Sequence, residues 1–301
     1  MTAKRTVLVV PHVHREDARS VTQAALAGLD RDGLVARMLA ADAAHFPGSP
    51  VEIYSATPDS AAHGCELILS FGGDGTILRA AELARGHRTP VLGVNLGHMG
   101  FLAESEPEDL PSLLTAVEAR SFEVEQRMAI DITVNNPDGT TANGWALNDV
   151  SLEKSARQRM IEIVIAVDDQ PLSRLGCDGV VCATPTGSTA YAWSAGGPVV
   201  WPDVDALLVV PISAHALFSR PLVISPASEI DVEIIPESAD AVIWCDGRRM
   251  LDAPAGSRLE VVRSPEPVTF ARLHKGTFSN RLVGKFALPV TGWRGRGQGE
   301  S

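Results

Sequence analysis

Apolar and polar positions follow two different rhythms along this chain, and the change falls near residue 126. Before it, short apolar runs alternate with stretches of helical spacing. Thr6-Val7-Leu8-Val9-Val10 is the first run; it is too short for a signal peptide and reads as a strand. Ala18, Val21, Ala25 and Leu29 then recur at three- and four-residue steps, the apolar stripe of a helix. A short strand near Leu34–Met38 follows, then a strand at Leu67–Phe71, a helix after Thr76, a strand at Val91–Val94 and a helix from about Pro107 to Ala119. Residues 41–62 carry Pro47-Gly48-Ser49-Pro50 and no clear period, so a loop or mobile insertion is expected there. Strands alternating with helices imply a parallel sheet, which binds ligands at the carboxyl ends of its strands.

Beyond residue 126 the period becomes two. Met128, Ile130, Ile132 and Val134 alternate with polar or small neighbours, as do Ile161, Ile163, Ile165 and Val167, and again Ile230, Val232 and Ile234. Turn residues separate these runs at Asn135–Gly139, Asp168–Pro171 and Asp246-Gly247. The expected architecture is a Rossmann-like parallel α/β domain over residues 1–126, followed by a larger antiparallel β-rich domain over 127–284. Residues 285–301 are expected to rejoin the first domain, with Gly292–Gly299 as a frayed tail.

Composition narrows the function. A chain of 301 residues, 45% hydrophobic, is long enough for two globular domains. Its net charge of −11 disfavours a general nucleic-acid binder or an anionic-membrane binder. Apolar runs such as Ala206–Ile212 fall well short of the roughly 20 residues that span a bilayer. Cys65, Cys177, Cys182 and Cys245 lack metal-ligand spacing, and the eight histidines form no ligand cluster. Reduced, mostly buried thiols suit a cytoplasmic protein.

The first chemical feature is Phe71-Gly72-Gly73-Asp74-Gly75-Thr76, between a buried-strand pattern and a run of helix formers. Glycines let backbone N–H groups approach a polyphosphate, and a helix N-terminus adds favourable partial charge. Asp74 is out of place among phosphate-binding groups unless it grips a metal ion or takes a proton from an attacking hydroxyl, which points to phosphoryl transfer. The second feature is the strand Val180–Ala183 ending in Thr184-Pro185-Thr186-Gly187-Ser188-Thr189-Ala190-Tyr191. Hydroxyls, backbone N–H groups and one aromatic ring there suit an adenosine; a hydroxyl-capped turn is the alternative. Asn148-Asp149 interrupts an apolar strand pattern, so its side chains need partners, a ligand, or simply a turn.

Together these segments resemble the NAD kinase family, along with Asn95–Leu102 and Ser194-Ala195-Gly196-Gly197-Pro198. The resemblance runs from about Thr6 to Trp293 and is weakest over residues 40–62. Trp145–Lys154 and Leu288–Gly295 look most like the actinobacterial members. It implies transfer of the terminal phosphoryl group of ATP, or of inorganic polyphosphate, to the 2′-hydroxyl of the adenosine ribose of NAD, with Mg²⁺ or another divalent cation accompanying ATP. Asp74 matches the family's general base. Gly72, Gly73, Gly75 and Thr76 match the turn holding the donor phosphates, and Arg79 and Arg159 match phosphate contacts by position. Phe101 matches an aromatic beside the adenosine, Asn148 and Asp149 a pair contacting NAD, and Thr186, Thr189, Ala190, Tyr191 and Ser194 the segment lining the adenine pocket. Asp178 matches a carboxylate toward the nicotinamide half, often supplied by a neighbouring subunit, so a homodimer or homotetramer is implied. Many members have Glu where this chain has Asp149, one methylene shorter. His215 and Arg220 lie in a further family-like segment and are assigned structural roles.

Two other readings share parts of the pattern. A lipid kinase of the diacylglycerol or sphingosine type would carry the glycine–aspartate motif, but it would need a basic or amphipathic docking helix that the sequence does not offer. A non-catalytic NAD(P)-binding regulator on the same scaffold would have no use for Asp74.

Overall fold

The structure is a computed structural model describing residues 4–96, 100–103, 107–156, 159–216, 218–273 and 277–289. The expected tail at Gly292–Gly299 lies outside the described residues. Residues up to Gln126, joined by those from Val268 onward, form one compact unit, and Arg127–Pro267 form another.

In the first unit the chain runs through β1 (Thr6–Pro11), α1 (Glu16–Arg31), β2 (Val35–Leu39), α2 (Ala40–Ala43), β3 (Val51–Tyr54), β4 (Leu67–Gly72), α3 (Asp74–Ala84), β5 (Val91–Asn95), α4 (Leu110–Ala119) and β6 (Glu123–Arg127). β4 and β5 are buried at every position, which is why their sequences are continuous apolar runs rather than alternating ones. On α1 the buried face includes Ala18, Ala25 and Leu29 but also Thr22, whose hydroxyl donates to the Ala18 carbonyl at 2.7 Å. Residues 41–62 are not a loop: they contain the end of α2, the edge strand β3 paired in parallel with β2, and a 3-10 turn at Pro58–Ser60. These elements have only three or four residues each, too short for a period to show.

The second unit carries β7 (Ile130–Asn135), β8 (Thr141–Ala146), β9 (Asp149–Lys154), β10 (Ile161–Val167), β11 (Gln170–Cys177), β12 (Gly179–Ala183), α5 (Tyr191–Ser194), β13 (Leu207–Ile212), β14 (Leu222–Ile224), β15 (Ile230–Ile234), β16 (Ala241–Cys245), β17 (Arg249–Ala253) and β18 (Arg258–Arg263). They form two six-stranded antiparallel sheets, ordered β11-β10-β15-β18-β7-β8 and β14-β13-β12-β9-β16-β17. Ile130, Ile132, Ile163, Val232 and Val261 from one sheet share a single core with Val150, Leu152, Val180, Val209 and Ile243 from the other. β12 is covered on its second face too, by a smaller cluster of Val181, Ala183, Ala192, Val200, Leu208 and Val210. Burial pushes the thiols of Cys177 and Cys245 up to about 11 and that of Cys182 up to about 12, and all four cysteines are free. Cys177, Cys182 and Cys245 pack in the core of the second unit.

The chain then returns through β19 (Val268–Arg272) and α6 (Phe278–Phe286). β19 enters the first sheet between β5 and β6, giving the order β3-β2-β1-β4-β5-β19-β6, and pairs in parallel with β5. The return to the first unit therefore comes at Val268, not at the expected residue 285, because β19 is fully buried and completes that sheet. No helix among the described residues is long and apolar enough to cross a membrane. Phe270, 1% exposed in the middle of β19, is expected to carry much of this insertion. Phe270→Ala should cost about 3–5 kcal/mol in a urea titration; a loss below about 1 kcal/mol would mean that β19 is dispensable to the sheet.

Candidate active site

In the first unit the site forms at the sheet's reversal of direction. From β1 the chain winds outward to β2 and β3; from β4 it winds the opposite way to β5, so β1 and β4 flank the switch point where α/β sheets bind ligands. The turn from β4 into α3 lies there: Pro11 pairs with Phe71, and the His12 N–H donates to the Phe71 carbonyl at 2.8 Å. α3 opens at Asp74 with Gly73 as its extended N-cap and no side chain capping it; the Thr76 and Ile77 N–H groups donate to the Gly73 carbonyl at 2.9 and 3.2 Å, so a ligand is left the N–H groups ahead of Thr76. Thr76 is buried and Gly75 exposed. The Asp74 carboxylate accepts from the backbone N–H groups of Phe101 at 3.2 Å and Leu102 at 3.3 Å. Arg79, expected as a phosphate contact, forms an ion pair with buried Asp42 at 2.7 Å.

In the second unit three strand ends converge. In the antiparallel register Ala183 at the end of β12 lies opposite Asp149 at the start of β9, and Cys245 at the end of β16 lies opposite Val150. The turn after β12 is fastened to Asn148: the Thr184 hydroxyl donates to the Leu147 carbonyl at 2.6 Å, and the Thr184 N–H to the Asn148 carbonyl at 2.9 Å. A Cβ on Gly187 would come within 1.9 Å of the Asn148 carbonyl oxygen, so the motif's glycine is fixed by close backbone contact. The turn after β16 supplies Asp246, whose left-handed backbone (φ 54°) turns its carboxylate back onto the chain. That carboxylate accepts from the N–H groups of Leu147 (3.1 Å), Asn148 (2.7 Å) and Asp149 (3.4 Å), and from Arg249 Nη2 at 2.7 Å. The Arg249 guanidinium lies 4.5 Å from the centre of the Trp145 ring.

These ends enclose a pocket of about 260 Å³ lined by Asn148, Asp149, Ser151, Glu153, Ala190, Tyr191, Trp244, Asp246 and Gly247. Four of the residues expected from sequence are thus brought together: Asn148, Asp149, Ala190 and Tyr191. Thr186 and Thr189 lie in the adjoining 3-10 turn, with Thr186 buried, and exposed Ser194 ends α5. Asp178 is held by Lys154 and Ser213, and the Lys154 ammonium keeps its carboxyl below the usual range. Arg159 is exposed ahead of β10. Phe101, in the first unit, is 8% exposed. The His215 N–H donates to the Gly176 carbonyl at 2.8 Å, and Arg220 is exposed.

Sequence reasoning missed Asp246, Ser151, Glu153 and Trp244. Ser151 and Glu153 were within reach, because they share with Asp149 the face of β9 opposite core residues Val150 and Leu152. Burial pushes the Asp149 carboxyl up to about 7, and the nearby Asp246 charge adds to this. Asp246 is raised as well, by burial, against the lowering effect of its N–H partners, so Asp149 is the member of the pair that holds a proton near neutrality.

The fold is that of solved pyridine-nucleotide kinases. The structure of yeast NADH kinase complexed with NADH superposes with a TM-score of 0.88 at 21% identity, covering 98% of this chain and 90% of that one. An NAD kinase from Archaeoglobus fulgidus in complex with ATP gives 0.70 at 28% identity, over 95% and 99%. The ATP-NAD kinase N-terminal domain matches residues 13–122 and the ATP-NAD kinase C-terminal domain residues 147–273. An NAD kinase of Thermobifida fusca is 54% identical, covering 98% of this chain and 93% of its own length, and NAD kinase 2 of Streptomyces avermitilis is 50% identical over 98% of each. The chain belongs to the NAD kinase family.

Protonation of Asp149 has a consequence for stability. Its folded-state value near 7 lies above the ordinary 3.8, so the folded chain holds this proton more tightly than the unfolded one. The contribution is complete below about pH 4 and is lost as pH rises through about 7. The thermal midpoint of the wild type should therefore fall from about pH 5 to about pH 8 more steeply than that of Asp149→Asn. Parallel curves would contradict the assignment.

Proposed function

We propose that this protein transfers the terminal phosphoryl group of ATP to the 2′-hydroxyl of the adenosine ribose of NAD, giving NADP. The carrying observation is one carboxylate, Asp74, set in a glycine turn at the N-terminus of α3 and at the switch point of the sheet, in a chain of the NAD kinase family.

Phosphoryl transfer asks a protein mostly for positioning and charge neutralisation. The N–H groups of Gly73 and Gly75, where a side chain would meet nothing, receive the donor phosphates, and Gly72 makes room for the Thr76 side chain that closes the turn. Arg79 contributes through the guanidinium N–H groups that Asp42 leaves over. Asp74 accepts the proton of the 2′-hydroxyl; its bonds to Phe101 and Leu102 hold its orientation. The adenosine is taken up by Asn148, Asp149, Ala190 and Tyr191, whose half-exposed ring offers a face to the base. Thr186, Thr189 and Ser194 adjoin that wall in the turn and short helix that follow β12. Protonated Asp149 can donate a hydrogen bond as well as accept one. Asp178, open on one side, and Arg159 serve the nicotinamide half and the pyrophosphate in a homodimer or homotetramer.

Mg²⁺ characteristically keeps several waters and takes one or two carboxylates together with substrate phosphates. The glycine turn fits a cation that arrives coordinated to the phosphates of ATP, which leaves Asp74 free to act as the base. Bound there, it would neutralise charge on the phosphates. Inorganic polyphosphate presents the same phosphate chemistry to the turn and is a second donor. The mostly buried, unpaired cysteines and the charge of −11 favour a cytoplasmic enzyme with neither nucleic acid nor membrane as partner.

A coupled assay for NADP formation from NAD, ATP and Mg²⁺ tests the proposal. Asp74→Asn should retain the fold and NAD binding while losing about 10²–10⁴-fold in turnover; undiminished turnover would remove Asp74 from its role. Tyr191→Ala should weaken NAD binding by about 1–3 kcal/mol in a calorimetric titration, the worth of a base–aromatic stack. Unchanged affinity would place the adenine elsewhere.

A further inference from the structure

The Asp74 carboxylate does not hold its position alone. Its two oxygens are bonded to the N–H groups of Phe101 and Leu102, at 3.2 and 3.3 Å, so its orientation is set by the segment Gly100–Leu102. That segment approaches so closely that a Cβ on Gly100 would sit 2.2 Å from Asp74 Oδ1.

The segment is in turn held from α6. Arg281 Nη1 donates to the Phe101 carbonyl at 3.0 Å. The Phe101 ring packs against Phe278, with centroids 5.7 Å apart, and against Phe286, 5.8 Å away. Phe278 and Phe286 lie about two turns apart on α6, with Arg281 between them, so all three reach one residue of the neighbouring segment. None of the residues of α6 is fully buried. The helix is thus lightly docked, and Phe101 is where three of its side chains take hold. The peptide group that accepts from Arg281 at the Phe101 carbonyl donates through the Leu102 N–H to Asp74 Oδ1, so these hydrogen bonds form one chain, and the Arg281 charge also acts on Glu125 and Asp74 directly.

We infer that Arg281 is a positioning residue for Asp74, acting through the backbone of Phe101, and that the docking of α6 sets the geometry of proton abstraction. This rests on the reading of Asp74 as the base. Displacement of a reacting group by about 1 Å can cost on the order of 10²-fold in rate, so a contact that never touches substrate can govern turnover.

A double-mutant cycle on the full chain tests this, with NADP formation from NAD, ATP and Mg²⁺ followed by mass spectrometry so that the residual turnover of Asp74→Asn is measurable. Arg281→Ala should lower kcat by about 10- to 100-fold in the wild-type background. In the Asp74→Asn background it should change residual turnover by less than about 3-fold, because the group it positions is gone. Arg281→Lys, which keeps a cationic donor, should recover most of the loss. Equal losses in both backgrounds, no loss in the wild type, or no recovery with lysine would overturn the inference. Should Arg281→Ala fail to fold, Phe286→Leu enters the same cycle: a loss confined to the wild-type background supports the inference, and equal losses in both overturn it. Wild-type turnover in Asp74→Asn alone would instead refute the base, a separate result from failure of the cycle.

Discussion

The arrangement of the second unit's pocket depends on a single carboxylate. Asp246 gathers three successive N–H groups, those of Leu147, Asn148 and Asp149, at the break between β8 and β9. Buried and leaving only a few per cent of its side chain exposed, it is also bound by Arg249, which in turn lies over Trp145. An unpaired buried amide costs roughly 1–3 kcal/mol, so the turn that presents Asn148 and Asp149 is held in its present form by this one group. The cost falls on Asp149: burial raises its carboxyl, and the Asp246 charge beside it adds to that.

The first unit uses the same device for a different end. Asp74 too is a carboxylate held by consecutive backbone N–H groups, but it is only half-buried and stands at the open start of α3. In one unit an acid arranges three N–H groups; in the other two N–H groups arrange an acid. Each acid closely follows a strand anchored in a core, β16 through Ala241, Ile243 and Cys245 and β4 along its whole length. Packing there fixes the backbone to which the carboxylates are attached.

Much of this was legible in the sequence because it is local. Strands such as Leu67–Gly72 and Gly179–Ala183 are continuous apolar runs since both faces are covered, and the glycine and hydroxyl-rich turns follow directly from them. What escaped is long-range or short. Asp246 reads as an ordinary Asp-Gly turn until β16 is seen to pair with β9, roughly a hundred positions away. Arg79 reads as free until Asp42 is found in a four-residue helix with no periodicity of its own. The return at Val268 had a local signal in Ser264-Pro265-Glu266-Pro267, a break that β-strand alternation on its amino-terminal side masked. Arg281 could not be singled out, because its partner is the carbonyl of Phe101, 180 positions earlier.

Burial, reinforced by the neighbouring Asp246 carboxylate, pushes the carboxyl of Asp149 up to about 7 in the pocket that the strand ends of the second unit line. The most direct measurement is a pH titration of the free protein labelled with ¹³C at the aspartate carboxyl carbons. One resonance should titrate near 7, present in the wild type and absent from Asp149→Asn. Every aspartate resonance completing its titration below about pH 5 would contradict it.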